Sequence, residues 1–114
     1  MKTRNRTKLI DGATGAITSA EIINNQCDST TIQVDGTFTD VSLTVQGKID
    51  PGAGYVAIAL VNISNYSIVT NGDVTAKGIY QIGSDAVYSM QVVVNSVSGG
   101  DVDVYVMQVD SAEV

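Results

Sequence analysis

The chain has 114 residues, enough for one domain with a buried core, and it holds 11 Gly, 1 Pro and no Trp. Together with many Val, Ile, Thr and Ser residues, this composition is typical of all-β proteins. It has no His and 1 Cys, which excludes Ser-His-Asp catalysis and an internal disulfide.

The formal net charge of −6 is unevenly distributed along the chain. From Leu9 onward the sequence holds all 12 acids and only two bases, Lys48 and Lys77. This body is strongly acidic and would repel polyanions, so we expect neither nucleic acid nor membrane among its partners.

The other basic side chains fall at every second position near the start, at Lys2, Arg4, Arg6 and Lys8. An extended segment places all four on one side. We therefore predict an extended basic arm over residues 1–8, a domain over residues 9–110 and a tail over residues 111–114. The arm is either a tether that binds an acidic surface of a partner or of a neighbouring subunit, or a solubilising terminus.

Residues 31–50 alternate strictly between apolar and polar side chains, which predicts two half-buried strands. The first strand places Ile32, Val34 and Phe38 on its dry side. The second strand does the same with Val41, Leu43, Val45 and Ile49.

Residues 55–63, YVAIALVNI, are apolar on both sides, and an antiparallel strand of this kind needs a second cover. A loop or another subunit would supply that cover. The candidates for a subunit interface are Ala57, Ala59, Val61 and Ile63.

Turn signals divide the rest of the chain. Asn71-Gly72 predicts a β-hairpin, and Ser98-Gly99-Gly100 predicts a turn between the two strands of a last pair, residues 87–97 and 101–109. The resulting fold is an all-β, antiparallel β-sandwich of jelly-roll type with about nine short strands.

The sequence contains few residues that could act in catalysis or bind a ligand. Cys27 has no cationic neighbour that would activate it as a nucleophile. Asp101 and Asp103 are either calcium ligands or, as we favour, solvated charges that protect a sheet edge. The tyrosines form a sugar platform if several share a face, and are otherwise core or interface residues. We expect no catalytic residue, metal or cofactor. The five tyrosines are Tyr55, Tyr66, Tyr80, Tyr88 and Tyr105.

The start of the sequence shows no secretory signal, because no apolar run follows its charged residues. No stretch is long and apolar enough for a membrane-spanning helix. These features and the lone Cys fit a protein that folds in a reducing cytoplasm.

Several stretches together resemble small β-sandwich virion proteins of tailed bacteriophages, a group that includes head decoration and head-fibre subunits. They are Lys8-Leu9-Ile10-Asp11, IQVDGTFTDVSLTVQGKID, Lys77-Gly78-Ile79-Tyr80 and SVSGGDVDVYV.

The resemblance implies a non-catalytic subunit that binds the assembled head, commonly as a homotrimer. Its partner would be the major capsid protein or another virion protein, and its location would be the virion, assembled in the host cytoplasm. Two alternatives stay open: a tail or baseplate component, and a carbohydrate-binding or adhesive module.

Overall fold

The structure is a computed structural model that describes residues 3–23, 27–82 and 87–110, with the backbone alone for residues 3–5, 27–28 and 110. A 3₁₀ turn at Thr70–Gly72 accompanies the strands. The strands are β1 (Thr3–Ala13), β2 (Ile17–Thr18), β3 (Ile22–Ile23), β4 (Cys27–Gly36), β5 (Asp40–Lys48), β6 (Val56–Ala57), β7 (Leu60–Asn62), β8 (Ser67–Val69), β9 (Asp73–Val74), β10 (Gly78–Ile82), β11 (Ser89–Ser98) and β12 (Val102–Asp110).

The strands form two antiparallel sheets. The first sheet has the order β1-β12-β4-β10-β7-β8, and the second has the order β2-β11-β5-β6, with β3 also paired to β11 and β9 to β5. The predicted antiparallel β-sandwich is therefore confirmed, with twelve short strands in the described part of the chain instead of about nine.

The core lies between the two sheets and follows the alternation of the sequence. Every second residue is buried over residues 30–34 of β4, 41–47 of β5, 90–94 of β11 and 102–106 of β12, because neighbouring side chains of a strand point to opposite faces. Phe38 packs against this core, whereas Ile49 lies beyond the end of β5 and is 75% exposed. The buried apolar residues are Ile10, Ile22, Ile32, Val34, Val41, Leu43, Val45, Leu60, Val74, Tyr80, Ile82, Met90, Val92, Val94, Val102, Val104 and Val106.

Strands that follow each other along the chain often lie in opposite sheets. The last two strands were predicted as a pair, but β11 belongs to the second sheet and β12 to the first. The predicted hairpin at Asn71-Gly72 is also wrong, because the chain crosses there from β8 to β9 in the other sheet. Asn71 does adopt the left-handed conformation, with φ +56°. A tight turn with positive φ therefore occurs at a crossing between the two sheets as well as in a hairpin.

Residues 55–63 do not form the single strand that their apolar run predicted. The segment forms β6 in the second sheet and then β7 in the first. Between them, Ile58 donates its backbone N–H to the carbonyl oxygen of Val45 at 3.0 Å. The run is apolar on both sides because it passes from one sheet to the other and supplies side chains to different surfaces.

Two of the crossings are bonded to each other at one end of the sandwich. The backbone N–H groups of Thr37 and Phe38 donate to the carbonyl oxygen of Asp101 at 3.1 and 3.2 Å. The Thr37 hydroxyl donates to Asp101 Oδ1 at 2.8 Å and accepts from the Asp101 N–H at 3.1 Å. Gly36 enters this corner with φ +135°, a conformation that side chains rarely adopt. The corner fixes the register between the β4–β5 and β11–β12 crossings.

Residues 3–8 are extended, as predicted, but they do not form an arm apart from the domain. They are the first half of β1 and pair with β12, from Thr3 opposite Asp110 to Lys8 opposite Tyr105. Alternating charges have the same period as a strand, and pairing with a neighbour completes the backbone hydrogen bonds of that strand. The described part of the arm is thus an edge of the first sheet.

Candidate docking face

The outer surface of the first sheet, named the front face here, combines basic, aromatic and aliphatic side chains. Strand register places its residues in two rows that cross the sheet. One row contains Lys8, Tyr105, Gln33 and Ile79. The other row contains Arg6, Met107, Thr31, Gln81, Val61 and Ile68.

Ile63 extends the apolar part of the front face beyond β7. Its backbone N–H donates to the carbonyl oxygen of Ile79 at 3.1 Å, which extends the β10–β7 pairing by one residue and places Ile63 beside Ile79. Ile68 is 70% exposed, and Ile63 and Ile79 are each 38% exposed. The β10–β7–β8 half of this face therefore presents neighbouring aliphatic side chains to solvent.

An open cleft of about 220 Å³ lies in the β1–β12–β4–β10 half of the same face. Apolar surface dominates its lining. The outward residues that line it are Arg6, Thr31, Gln33, Ile79, Tyr105 and Met107.

The two cations with described side chains on the front face, Lys8 and Arg6, differ in their contacts. Lys8 Nζ lies 2.8 Å from Asp11 Oδ1, 3.5 Å from Asp103 Oδ1 and 5.3 Å from the centre of the Tyr105 ring. The hydrogen bond from Lys8 to Asp11, with the charge of Asp103, raises the pKa of Lys8. Arg6 is exposed and makes no ion pair or ring contact within the described residues.

The structure thus places some of the predicted arm residues and some of the predicted interface residues on the same surface. Arg6 and Lys8 share the front face with Val61 and Ile63, although the sequence analysis assigned the two groups to separate elements. Lys2 lies outside the described residues, and of Arg4 only the backbone is described.

The remaining interface candidates lie elsewhere. Ala57 pairs with Gln46 in the second sheet, and Ala59 is exposed in the crossing between β6 and β7. We did not predict Ile79, Met107 and Ile68 as surface residues from the sequence. Their signal was an apolar side chain at the outward position of a strand.

The outer surface of the second sheet, named the back face here, carries several polar side chains that bond to one another. Gln91 Nε2 donates to Gln46 Oε1 at 2.8 Å. Asn95 Nδ2 donates to Ser42 Oγ at 3.3 Å and to Thr44 Oγ1 at 3.0 Å. Thr44 Oγ1 in turn donates to Asp73 Oδ1 at 3.2 Å.

A cluster around Glu21 closes one end of the back face. Tyr55 Oη and Ser89 Oγ donate to Glu21 Oε2 at 2.6 and 3.2 Å, and the Tyr55 and Ser89 hydroxyl oxygens lie 3.1 Å apart. Lys48 Nζ lies 3.6 Å from the same carboxylate oxygen and 4.6 Å from the centre of the Tyr55 ring. The cluster connects β5 and β11 to the segments before β3 and β6.

The contacts of this cluster shift two pKa values in opposite directions. The hydrogen bond from Tyr55 lowers the pKa of Glu21, with help from Ser89 and Lys48. Burial, followed by the hydrogen bond to Glu21, raises the pKa of Tyr55. Ser89 is fully buried, and its hydroxyl contacts both Tyr55 and Glu21. The cluster therefore stabilises the packing of the segments before β3 and β6 against β5 and β11.

The two aspartates that were considered as calcium ligands have structural partners instead. Asp101 Oδ1 accepts hydrogen bonds from the Thr37 hydroxyl and N–H, which lower the pKa of Asp101. Asp103 Oδ1 accepts from the Gly12 N–H at 2.7 Å and lies near Lys8. Within the described residues, no group of three or more His, Cys, Asp or Glu side chains lies close enough to hold a metal.

The tyrosines do not share a face. Tyr105 lies on the front face, Tyr55 packs over the back face, and Tyr80 is buried with its hydroxyl donating to the Ala76 carbonyl oxygen at 2.8 Å. Burial raises the pKa of Tyr80. Tyr66 and Tyr88 are 80% and 39% exposed, and Tyr88 lies near enough to Tyr55 to contribute to the raised pKa of Tyr55. The side chain of Cys27 lies outside the description, and among the described residues no helix is long and apolar enough to cross a membrane.

Comparison with known proteins finds similarity in structure but not in sequence. No protein family and no curated protein sequence matches the chain. The SPBc2 prophage-derived protein YomS has a similar fold, with a TM-score of 0.87, 16% identity and 96% of each chain covered. The PBSX exported protein XepA is similar with a TM-score of 0.87 and 15% identity over 96% of this chain, which spans 38% of XepA. The fold of this chain is thus shared with a prophage-derived protein and with a PBSX exported protein.

Proposed function

We propose that the chain is a non-catalytic structural protein of a bacteriophage virion, a capsid decoration or head-fibre subunit that binds the assembled head through its front face. Its fold is similar to that of two prophage proteins, which supports the phage origin. The resemblance of its strand and turn patterns to phage head proteins supports the location in the virion.

One observation carries the docking role: the front face joins an unpaired cation to exposed apolar side chains. Arg6 lies beside the cleft, and Ile68, Ile63 and Ile79 continue the surface toward β8. Exposed apolar groups next to an unneutralised charge are typical of protein–protein contact surfaces. The back face carries hydrogen-bonded polar side chains and lacks such a combination among its described residues.

The proposal divides the front face between two contacts. The β1 half, with Arg6 and the cleft, binds the capsid protein or another virion protein. The β7–β8 half, with Val61, Ile63 and Ile68, packs against a second copy in a homo-oligomer. Burial of these aliphatic side chains between subunits supplies the driving force for association.

The experiment is co-sedimentation of the purified protein with particles of the phage that encodes it, stripped of this subunit. Ile79→Glu places a charge at the centre of the front face, and we expect binding to weaken at least about tenfold because that charge must be desolvated on docking. Ala57→Glu adds the same charge on the other sheet and serves as the matched control.

Two results would contradict the proposal. One is equal binding of both variants; the other is density for the subunit away from the head in electron micrographs of the particles. Density on the tail or baseplate would support the second candidate, a tail component. Light scattering after size-exclusion chromatography of the same samples measures the self-association.

A further inference from the structure

We propose that the first half of β1, residues 3–8, is a docking edge that accepts an extended acidic segment of a partner protein as an added strand. Among the described strands, β1 pairs only with β12 and so forms one border of the first sheet. The outer backbone groups of a border strand are a template for another strand. This inference names the chemistry of the partner for the β1 half of the front face and rests on the proposed docking role.

The two halves of β1 differ in regularity. Register with β12 shifts twice between Lys8 and Ala13, whereas pairing is continuous from Thr3 to Lys8. Bulges and irregularities commonly protect an edge from unwanted pairing. That protection is confined to the second half of β1, and the first half keeps the straight geometry that an added strand needs.

A second copy of this chain does not provide a matching strand. The other border strands of the two sheets, β2, β6 and β8, have two or three residues each. Pairing of β1 with β1 of another copy would bring like charges together, which destabilises a strand pair. The partner strand must therefore come from a different protein.

Charge defines the chemistry of that strand. Arg6 is the one described cation without an anionic or aromatic partner: Lys8 contacts Asp11, Lys48 contacts Glu21, and Lys77 lies 5.7 Å from the Phe38 ring centre. In a body with 12 acids after residue 8, the unpaired guanidinium is available for a carboxylate from outside. Opposite charges across a strand pair stabilise it, so the partner strand carries Asp or Glu at alternate positions.

The test uses the full chain and a fluorescent peptide with the sequence acetyl-Val-Asp-Val-Asp-Val-Asp-Val-amide, with binding followed by fluorescence anisotropy. We expect saturable binding that Arg6→Glu weakens about fivefold. Lys77→Glu makes the same change in net charge away from β1 and should leave the affinity unchanged. Equal affinity of wild type and Arg6→Glu overturns the proposal.

Two methylated peptides separate strand addition from simple charge attraction. One carries N-methyl groups on its Val residues and the other on its Asp residues. An added strand directs only one of these sets of N–H groups toward β1, because successive N–H groups of a strand point to opposite edges. Loss of binding by one peptide alone supports the proposal, and equal binding by both overturns it. Because no particle is present, the result is independent of the co-sedimentation experiment.

Discussion

The front and back faces of the sandwich have the same backbone architecture but use their polar groups in different ways. On the back face, amides and hydroxyls bond to one another, as Gln46 does with Gln91 and Asn95 with Thr44. On the front face, Arg6 has no partner among the described residues, and Ile68 is 70% exposed. Our proposal therefore assigns the front face to contact with another molecule and the hydrogen-bonded back face to the stability of the chain itself.

The largest expected effect comes from the corner that supports both faces. A Cβ on Gly36 would overlap the carbonyl oxygen of Asp101, and the φ of +135° is strained for any side chain. We expect Gly36→Ala to lower the free energy of unfolding by about 3 kcal/mol or more. Urea unfolding, monitored by circular dichroism, measures this loss. The substitution should weaken binding at the front face and lower the stability of the back face together.

Gly54→Ala is the control for the corner. A Cβ at Gly54 meets no atom within 4 Å, so we expect a change within about 0.5 kcal/mol. Similar losses for the two alanine variants would show that the corner does not fix the geometry of the faces.

The difference between the faces was only partly predictable from the sequence. Alternation correctly identified the buried side of β4 and β5, since Ile32, Val34, Leu43 and Val45 are all buried. Alternation does not identify the neighbour of a strand, because a hairpin and a crossing to the other sheet have the same period of two. For this reason the pairing of β11 with β5, and of β12 with β4, needed the structure.

The candidate docking face was predictable in its parts but not in its assembly. The basic residues near the start and the apolar run at residues 55–63 were both visible as unusual segments. Their meeting on one surface depends on β12, β4 and β10 lying between β1 and β7. Such long-range order is set by packing of the whole core, which no local pattern encodes.

A pair of tyrosine variants tests the contrast at the level of single hydroxyl groups. Tyr55→Phe removes a donor to Glu21 and a hydrogen bond beside the buried Ser89, but keeps the ring near Lys48. We expect a loss of about 1 kcal/mol. Tyr105→Phe removes a front-face hydroxyl without a hydrogen-bond partner among the described residues and should change the stability by less than about 0.5 kcal/mol. Urea midpoints that fall equally would refute the division of roles.

The smallest effect is a pH dependence of the back-face cluster. Because the Tyr55 hydroxyl and its neighbours lower the pKa of Glu21 below its ordinary value of 4.5, the folded state binds this proton less readily than the unfolded state. The stabilisation is therefore present above about pH 5 and is lost as the pH falls through the lowered pKa. Glu21→Gln keeps an acceptor for Tyr55 but does not titrate, so the stability gap between wild type and variant should shrink on acidification.

Asp101 titrates in the same acidic range, because the Thr37 hydroxyl and N–H lower the pKa of Asp101 at the corner. Its contribution is common to wild type and Glu21→Gln and cancels from their difference. Asp101→Asn should remove the contribution of Asp101 to the acid sensitivity, with the same sign of linkage. Urea midpoints at several pH values between about 3 and 6 measure both differences. A gap between wild type and Glu21→Gln that is constant over this range would mean that the Tyr55–Glu21–Ser89 cluster stabilises the back face by neutral hydrogen bonding alone.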